Sequence, residues 1–234
     1  MATSDHQNAA TKIIAALDVS DIAQARALVK QLNGEISFFK IGYELLFCGG
    51  VDLAQELVAQ NYRVFLDTKF YDIGRTVACG AYSLAKIGAD FLTVHADRRA
   101  IEAAKSHAGT TKILAISVLT SHTEQDLRDH GIDRSMHDTL VHRAQMAVDA
   151  GADGLICAPP DLAILRDIVP EDCLLVTPGI RITSSQNLPD DQNRISSPAQ
   201  ALRSGADYLV IGRPITQAQD PRGAAQEIIA SLDS

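Results

Sequence analysis

The stretch Gly88-Ala89-Asp90-Phe91-Leu92-Thr93-Val94-His95 decides the fold, because its opening tripeptide returns twice: Gly151-Ala152-Asp153 stands before Gly154–Cys157, and Gly205-Ala206-Asp207 before Tyr208–Ile211. Glycine just past a helix can take the left-handed backbone that ends it, so each copy predicts a helix stop followed at once by a strand. Working outward, short β-branched or apolar runs recur at Ile13–Leu17, Phe38–Ile41, Val64–Leu66, Phe91–Val94, Ile113–Leu119, Gly154–Cys157, Leu174–Val176 and Tyr208–Ile211, which makes eight strand candidates. Between them, segments such as Ile22–Leu32, Val51–Gln60, Val77–Ile87, Leu140–Ala150 and Pro198–Arg203 carry Ala, Leu and charged residues with helical periodicity. Eight strand–helix alternations predict an α/β chain closed as a (β/α)8 TIM barrel. An open doubly wound sheet would favour a G-x-G-x-x-G turn after the first strand, and there is none.

The chain has 234 residues, 46% of them hydrophobic, enough for a single barrel domain over residues 12–234 behind a polar tail at 1–11. The formal charge is -8 with no Lys/Arg run, which argues against nucleic acid or an anionic membrane surface as partner. An anionic ligand must therefore be held by a few local cations. Cys48, Cys79, Cys157 and Cys173 lack metal-ligand spacing and are expected to be buried small hydrophobes in a reducing compartment. Met1–Thr11 has no apolar signal core and no apolar run approaches the ~18 residues of a membrane span, so the expectation is a soluble, cytoplasmic protein. The one long irregular segment, Pro178–Ser197, follows strand seven on the face where barrel enzymes act, and a loop longer than ~12–15 residues in a compact domain is usually a functional lid or disordered.

In a barrel the C-terminal strand ends carry the chemistry. Those positions are polar here: Asp18, Lys40, Asp67 and Lys69, His95, Ser117 and Thr120, Pro178-Gly179 with Arg181, and Gly212-Arg213. Strand alternation places Asp67 and Lys69 on one face with Thr68 pointing away, and Asp72 follows at the next loop. Any one of these charges alone reads as a solvated residue or a structural ion pair. Two lysines and several carboxylates converging on one mouth would instead form an alternating network, because desolvated charges are costly unless paired.

The runs Ala16-Leu17-Asp18, Phe39-Lys40-Ile41-Gly42, Asp67-Thr68-Lys69-Phe70-Tyr71-Asp72-Ile73, Thr93-Val94-His95-Ala96, Val118-Leu119-Thr120-Ser121, Thr177-Pro178-Gly179-Ile180-Arg181, Asp191-Gln192 and Val210-Ile211-Gly212-Arg213-Pro214-Ile215-Thr216 resemble the orotidine 5'-phosphate decarboxylase family, in the family's order from strand one to strand eight. The resemblance implies decarboxylation of orotidine 5'-phosphate (OMP) to UMP in pyrimidine biosynthesis, with neither metal nor organic cofactor. It implies that Lys69 donates the proton to C6 within a network of Lys40, Asp67, Lys69 and Asp72. Asp67 would lie near the departing carboxylate, and Lys40 would also reach the ribose. Asp18 resembles the ribose-hydroxyl ligand and Thr120 the residue near the pyrimidine edge. Pro178, Arg181 and Gln192 belong with the strand-seven loop, and Gly212 with Arg213 would hold the phosphate. The family's active form is a homodimer in which Asp72, Ile73 and Thr76 enter the neighbouring site.

The chain departs from the family at Asp72-Ile73-Gly74-Arg75-Thr76, where members often read D-I-P-N-T, and at Tyr71, where histidine is common. Gly74 loosens a turn that proline would fix. Metal-dependent sugar-phosphate decarboxylases and aldolases on the same barrel share D-x-K-x-x-D but carry a metal-binding glutamate near the end of strand two. Lys40 stands there instead, and a protonated lysine does not ligate a divalent metal. Glu44 lies past Gly42 and reads as an acid in the first turn of a helix. A non-catalytic phosphate-binding barrel would have lost a charged member of the signature, and all are present. His95 reads as a hydrogen-bonded structural residue outside the catalytic set, while His122, His130, His137 and His142 are expected to face solvent.

Overall fold

The computed structural model describes residues 9–181 and 195–233. Eight parallel strands pair in chain order and close: β1 (Ile13–Ala16), β2 (Phe38–Ile41), β3 (Arg63–Phe70), β4 (Phe91–His95), β5 (Lys112–Ile116), β6 (Gly154–Ile156), β7 (Leu174–Thr177) and β8 (Tyr208–Ile211), with β8 returning to β1. A principal helix follows each strand: α1 (Ile22–Leu32), α2 (Val51–Ala59), α3 (Gly74–Ala85), α4 (Arg98–Lys105), α5 (Met136–Asp149), α6 (Leu162–Ile168), α7 (Pro198–Arg203) and α8 (Pro221–Ala230). The barrel read from the sequence is the observed fold. Asp21, Asp97, Ser135 and Ser197 cap α1, α4, α5 and α7, each accepting a backbone N–H of the first turn.

The Gly-Ala-Asp repeat does more than stop helices. Gly88, Gly151 and Gly205 take φ of 84°, 88° and 107°, the left-handed turn expected of them. The aspartate that follows then reaches back to the preceding strand. Asp90 Oδ2 accepts the Val64 N–H at 3.0 Å, Asp153 Oδ2 that of Ile113 at 2.8 Å, and Asp207 Oδ2 that of Leu175 at 2.7 Å. The other side of each latch is a cation: Arg63 on Asp90, Lys105 on Asp153 and Arg166 on Asp207. A motif recognised for its glycine thus also stitches neighbouring strands together at their N-terminal ends.

Side chains alternate between two packed layers. Ile14, Ala16, Phe38, Phe65, Phe91, Leu114, Val176 and Val210 fill the barrel interior, while their strand neighbours Ile13, Ala15, Phe39, Val64, Leu66, Leu92 and Val94 pack outward against the helices. At the N-terminal end the Arg63 guanidinium lies 4.0 Å from the centre of the Phe38 ring and donates to Tyr208 Oη at 3.4 Å, and Phe38 and Phe91 rings meet at 5.1 Å. This aromatic and cationic plug closes the base of the barrel.

Several local expectations need correction. The third strand does not stop at Leu66 but continues to Phe70, and the fifth ends at Ile116, short of Leu119. Cys157 and Cys173 are buried as expected, whereas Cys48 and Cys79 are exposed. Cys79 lies two residues from each of the buried Val77 and Ala81, so the helical period turns it away from the core. Cys48 sits in a kinked turn over Leu46–Gly50. His122 does not face solvent; it is half-buried and stacks on His130 with ring centres 5.4 Å apart. His130, His137 and His142 are exposed. Among the described residues, no helix is long and apolar enough to cross a membrane.

Candidate active site

A cavity of about 710 Å³ opens at the C-terminal mouth of the barrel. Its floor is apolar, formed by the interior side chains of Ala16, Phe65, Ile116, Ile156 and Val210. Above them the next residues along β2 and β3 are charged. Lys40 Nζ lies 3.0 Å from Asp18 Oδ1 and 3.4 Å from Asp67 Oδ2, and Lys69 Nζ lies 2.6 Å from the same Asp67 oxygen. The charges therefore alternate as Asp18, Lys40, Asp67, Lys69. Lys40 and Asp67 are the desolvated pair, with side chains 10% and 13% exposed against 50% for Asp18.

Each member of that pair stabilises the other's charge. Burial works to lower the Lys40 pKa, but the carboxylates of Asp67 and Asp18 outweigh it and hold the ammonium above the ordinary lysine value. Burial likewise works to raise Asp67, and Lys40, Lys69 and hydrogen bonds from Lys69 and Thr93 together hold it below the ordinary carboxylate value. Both groups are charged at neutral pH, and their positions are set by one another.

Asp67 and Lys69 do meet, though not by plain alternation. The β3–β4 register shifts between Leu66 and Phe70, and Lys69 has φ 47°, one of two non-glycine residues in the left-handed region among the described residues. A side chain there costs roughly 1–3 kcal/mol and persists only when the surroundings enforce it. Three contacts do so. Tyr43 Oη donates to the Thr68 carbonyl at 2.9 Å, Thr68 Oγ1 donates to the Thr93 carbonyl at 2.9 Å, and the Lys69 N–H donates to Thr93 Oγ1 at 2.9 Å. Lys69 Nζ also stands 5.2 Å from the Tyr43 ring centre, within cation–π range.

Of the residues expected at the site, Asp18, Lys40, Asp67, Lys69, Thr120, Pro178, Arg181, Gly212 and Arg213 all line this cavity. Gly179, Val118, Leu119 and Gln217 join them. The Arg181 N–H donates to the Ser196 carbonyl at 3.0 Å, and that of Ser196 to Gly179 at 3.3 Å, tying the two described ends of the strand-seven loop together. Gln192 lies outside the described residues. Asp72, Ile73 and Thr76 do not line the cavity of their own chain; all three are exposed, and Asp72 Oδ1 accepts the Ile73 N–H.

His95 is half-buried at the end of β4, its pKa lowered by burial and then by Arg143, Lys69 and His122. Its ring centre is 5.7 Å from that of Tyr71. Sequence reading passed over Thr93 and Tyr43. For Thr93 a signal existed: it shares strand parity with Phe91, which faces the barrel interior. Among the described residues, no three His, Cys, Asp or Glu side chains cluster as a metal site.

A family model described as "Orotidine 5'-phosphate decarboxylase / HUMPS family" matches residues 11–228. Relatives named orotidine 5'-phosphate decarboxylase include one from Afipia carboxidovorans, 47% identical with 98% of each chain covered, and one from Rhodopseudomonas palustris, 46% identical with 97% of each covered. The crystal structure of orotidine 5'-phosphate decarboxylase from Lactobacillus acidophilus superposes with a TM-score of 0.84 at 35% identity, covering 96% of this chain and 100% of that one. With the family model spanning the barrel from before β1 into α8, and with relatives this similar over nearly their whole length, the chain belongs to the orotidine 5'-phosphate decarboxylase / HUMPS family.

Proposed function

We propose that this protein is a carboxy-lyase that converts OMP to UMP in de novo pyrimidine synthesis, in the cytoplasm, without a metal or organic cofactor. The observation that carries the reading is the alternating row Asp18, Lys40, Asp67, Lys69 above an apolar floor. In the reaction the bond from C6 to the carboxylate carbon breaks, CO2 leaves, and the electron pair stays on C6. Lys69 Nζ then delivers a proton to C6 and later regains one from water. A fixed ammonium beside developing negative charge stabilises it most where water is scarce and no reorganisation is needed. Asp67 keeps Lys69 oriented and places a negative charge against the departing carboxylate. Lys40 holds Asp67 in place and, with Asp18, meets the ribose hydroxyls.

Arg213 and Gly212 take the phosphate, a dianion remote from the reacting carbon whose binding energy supports closure over the ligand. Arg181 and Gln192 complete that end, and Pro178 and Thr120 contact the pyrimidine region. The metal-dependent members of the family are disfavoured by Lys40, a cation between two carboxylates at the position where their metal-binding glutamate would stand. We further propose a homodimer in which Asp72, Ile73 and Thr76 complete the neighbouring site; their exposure in the single chain supports this, as do the exposed side chains of the adjacent Tyr71 and of Phe47.

The test is loss of OMP absorbance by purified protein in excess EDTA, alongside Lys69→Ala prepared identically. Conversion to UMP that survives chelation and disappears in the variant is the expected result. A folded wild type that turns over only with added divalent metal, or not at all, would overturn the proposal.

A further inference from the structure

The geometry points to Thr93 as the positioning residue that sets the Asp67–Lys69 pair, through one hydroxyl that holds both the carboxylate of the first and the backbone of the second. The inference rests on the decarboxylase reading and adds to it a group that touches no substrate. Thr93 sits on β4 with no exposed surface and does not line the cavity. Its Oγ1 donates to Asp67 Oδ1 at 2.9 Å and accepts the Lys69 N–H at 2.9 Å. A hydroxyl has a single proton and two lone pairs, so this donor–acceptor assignment is fully determined. Asp67 is held on one oxygen by Thr93 and on the other by both lysines. The carboxylate is therefore held at both oxygens, with Oδ2 turned toward the two lysines.

The backbone bond matters as much. The β3–β4 ladder breaks between Leu66 and Phe70, so the Lys69 N–H has no strand partner there, and Thr93 Oγ1 replaces the missing carbonyl. Without it the left-handed turn at Lys69, φ 47°, would lose the contact nearest the strained residue. Relaxation of that turn would swing the ammonium away from Asp67. Valine matches threonine in shape but offers neither donor nor acceptor, cysteine offers only weak ones, and serine keeps the hydroxyl.

The test compares Thr93→Val, Thr93→Cys and Thr93→Ser with wild type for kcat and KM with OMP, UMP affinity, and the pH dependence of kcat/KM. Positioning predicts that Val and Cys lose on the order of 10- to 100-fold in kcat with KM and UMP affinity nearly unchanged. It also predicts an acid limb displaced to higher pH, since the hydroxyl is one of the groups that hold Asp67 low. Serine should restore both. Should Thr93→Val fail to fold, Thr93→Cys makes the same comparison with a smaller change in polarity. Wild-type kcat in the Val or Cys variant would overturn the inference, as would parallel losses of kcat, UMP affinity and stability that serine fails to rescue. A wild type inert toward OMP would instead overturn the decarboxylase reading itself, so the two failures are distinguishable.

Discussion

Replacing Lys40 by methionine tests whether the row of charges is an energetic unit or a set of neighbours. Lys40 Nζ is 3.4 Å from the buried Asp67 oxygen, and at an effective dielectric of about 20 two unit charges that close attract by roughly 5 kcal/mol. The 3.0 Å contact to Asp18 also holds the Lys40 charge, but that carboxylate is half exposed and does not become a buried unpaired charge when the lysine is removed. Methionine fills a similar volume, so the main effect is an under-compensated Asp67 left desolvated above an apolar floor. Removing one partner of a buried pair costs roughly 3–5 kcal/mol, which for a chain of this size lowers Tm by about 6–20 °C. Urea unfolding of both proteins at the same concentrations, repeated across a concentration series, reads it and separates any change in association. A pH series supplies a second, signed readout. In the wild type Asp67 lies below its unfolded value of about 3.9, so its contribution is present above that pH and is lost as pH falls through the depressed folded value. In Lys40→Met, burial meets less opposition and the Asp67 pKa rises, so acid unfolding begins at higher pH. A stability within about 1 kcal/mol of wild type, with an unmoved acid transition, would refute the claim that this pair is desolvated and mutually dependent.

Two further outcomes are expected. At position 69 the usual ranking of alanine over glycine should invert: Lys69→Gly should be more stable than Lys69→Ala by about 1 kcal/mol in urea, because alanine retains the left-handed strain that glycine removes; equal stabilities would mean that the φ of 47° is not enforced. Mixing Asp72→Ala with Lys69→Ala should regain about a quarter of wild-type activity per chain, since half the dimers are mixed and each holds one intact site; no recovery in proven mixed dimers would remove Asp72 from the neighbouring site.

The barrel was legible because its signals are local. Gly88, Gly151 and Gly205 each mark a helix end by a backbone requirement that no partner modifies. The roles of Asp90, Asp153 and Asp207 beside them were not legible, since each depends on which N–H the closed barrel brings opposite. Charged residues at strand ends announced Asp18, Lys40, Asp67 and Lys69, because strand direction alone selects the mouth. How Asp67 and Lys69 come together was read too simply: alternation assumes a regular ladder, and the register shift with its left-handed lysine belongs to the pairing of β3 with β4. Thr93 escaped notice because an uncharged residue inside a strand carries no sign of which carboxylate faces it. The exposure of Cys79 follows from the phase of α3, whose core face is set by Val77 and Ala81, and an apolar count alone does not show that phase.

The plug of Arg63, Phe38, Phe91 and Tyr208 at the base of the barrel has a consequence for the opposite end. With that end stoppered by tilted and edge-to-face rings, solvent reaches Lys40 and Asp67 from one direction only. Field lines from the buried pair then emerge through the mouth instead of being dissipated below, and the ligand itself becomes the stopper on the open side. A chain built this way meets water through a single aperture, at the C-terminal rim, so whatever fills that aperture decides how poor a solvent the interior becomes.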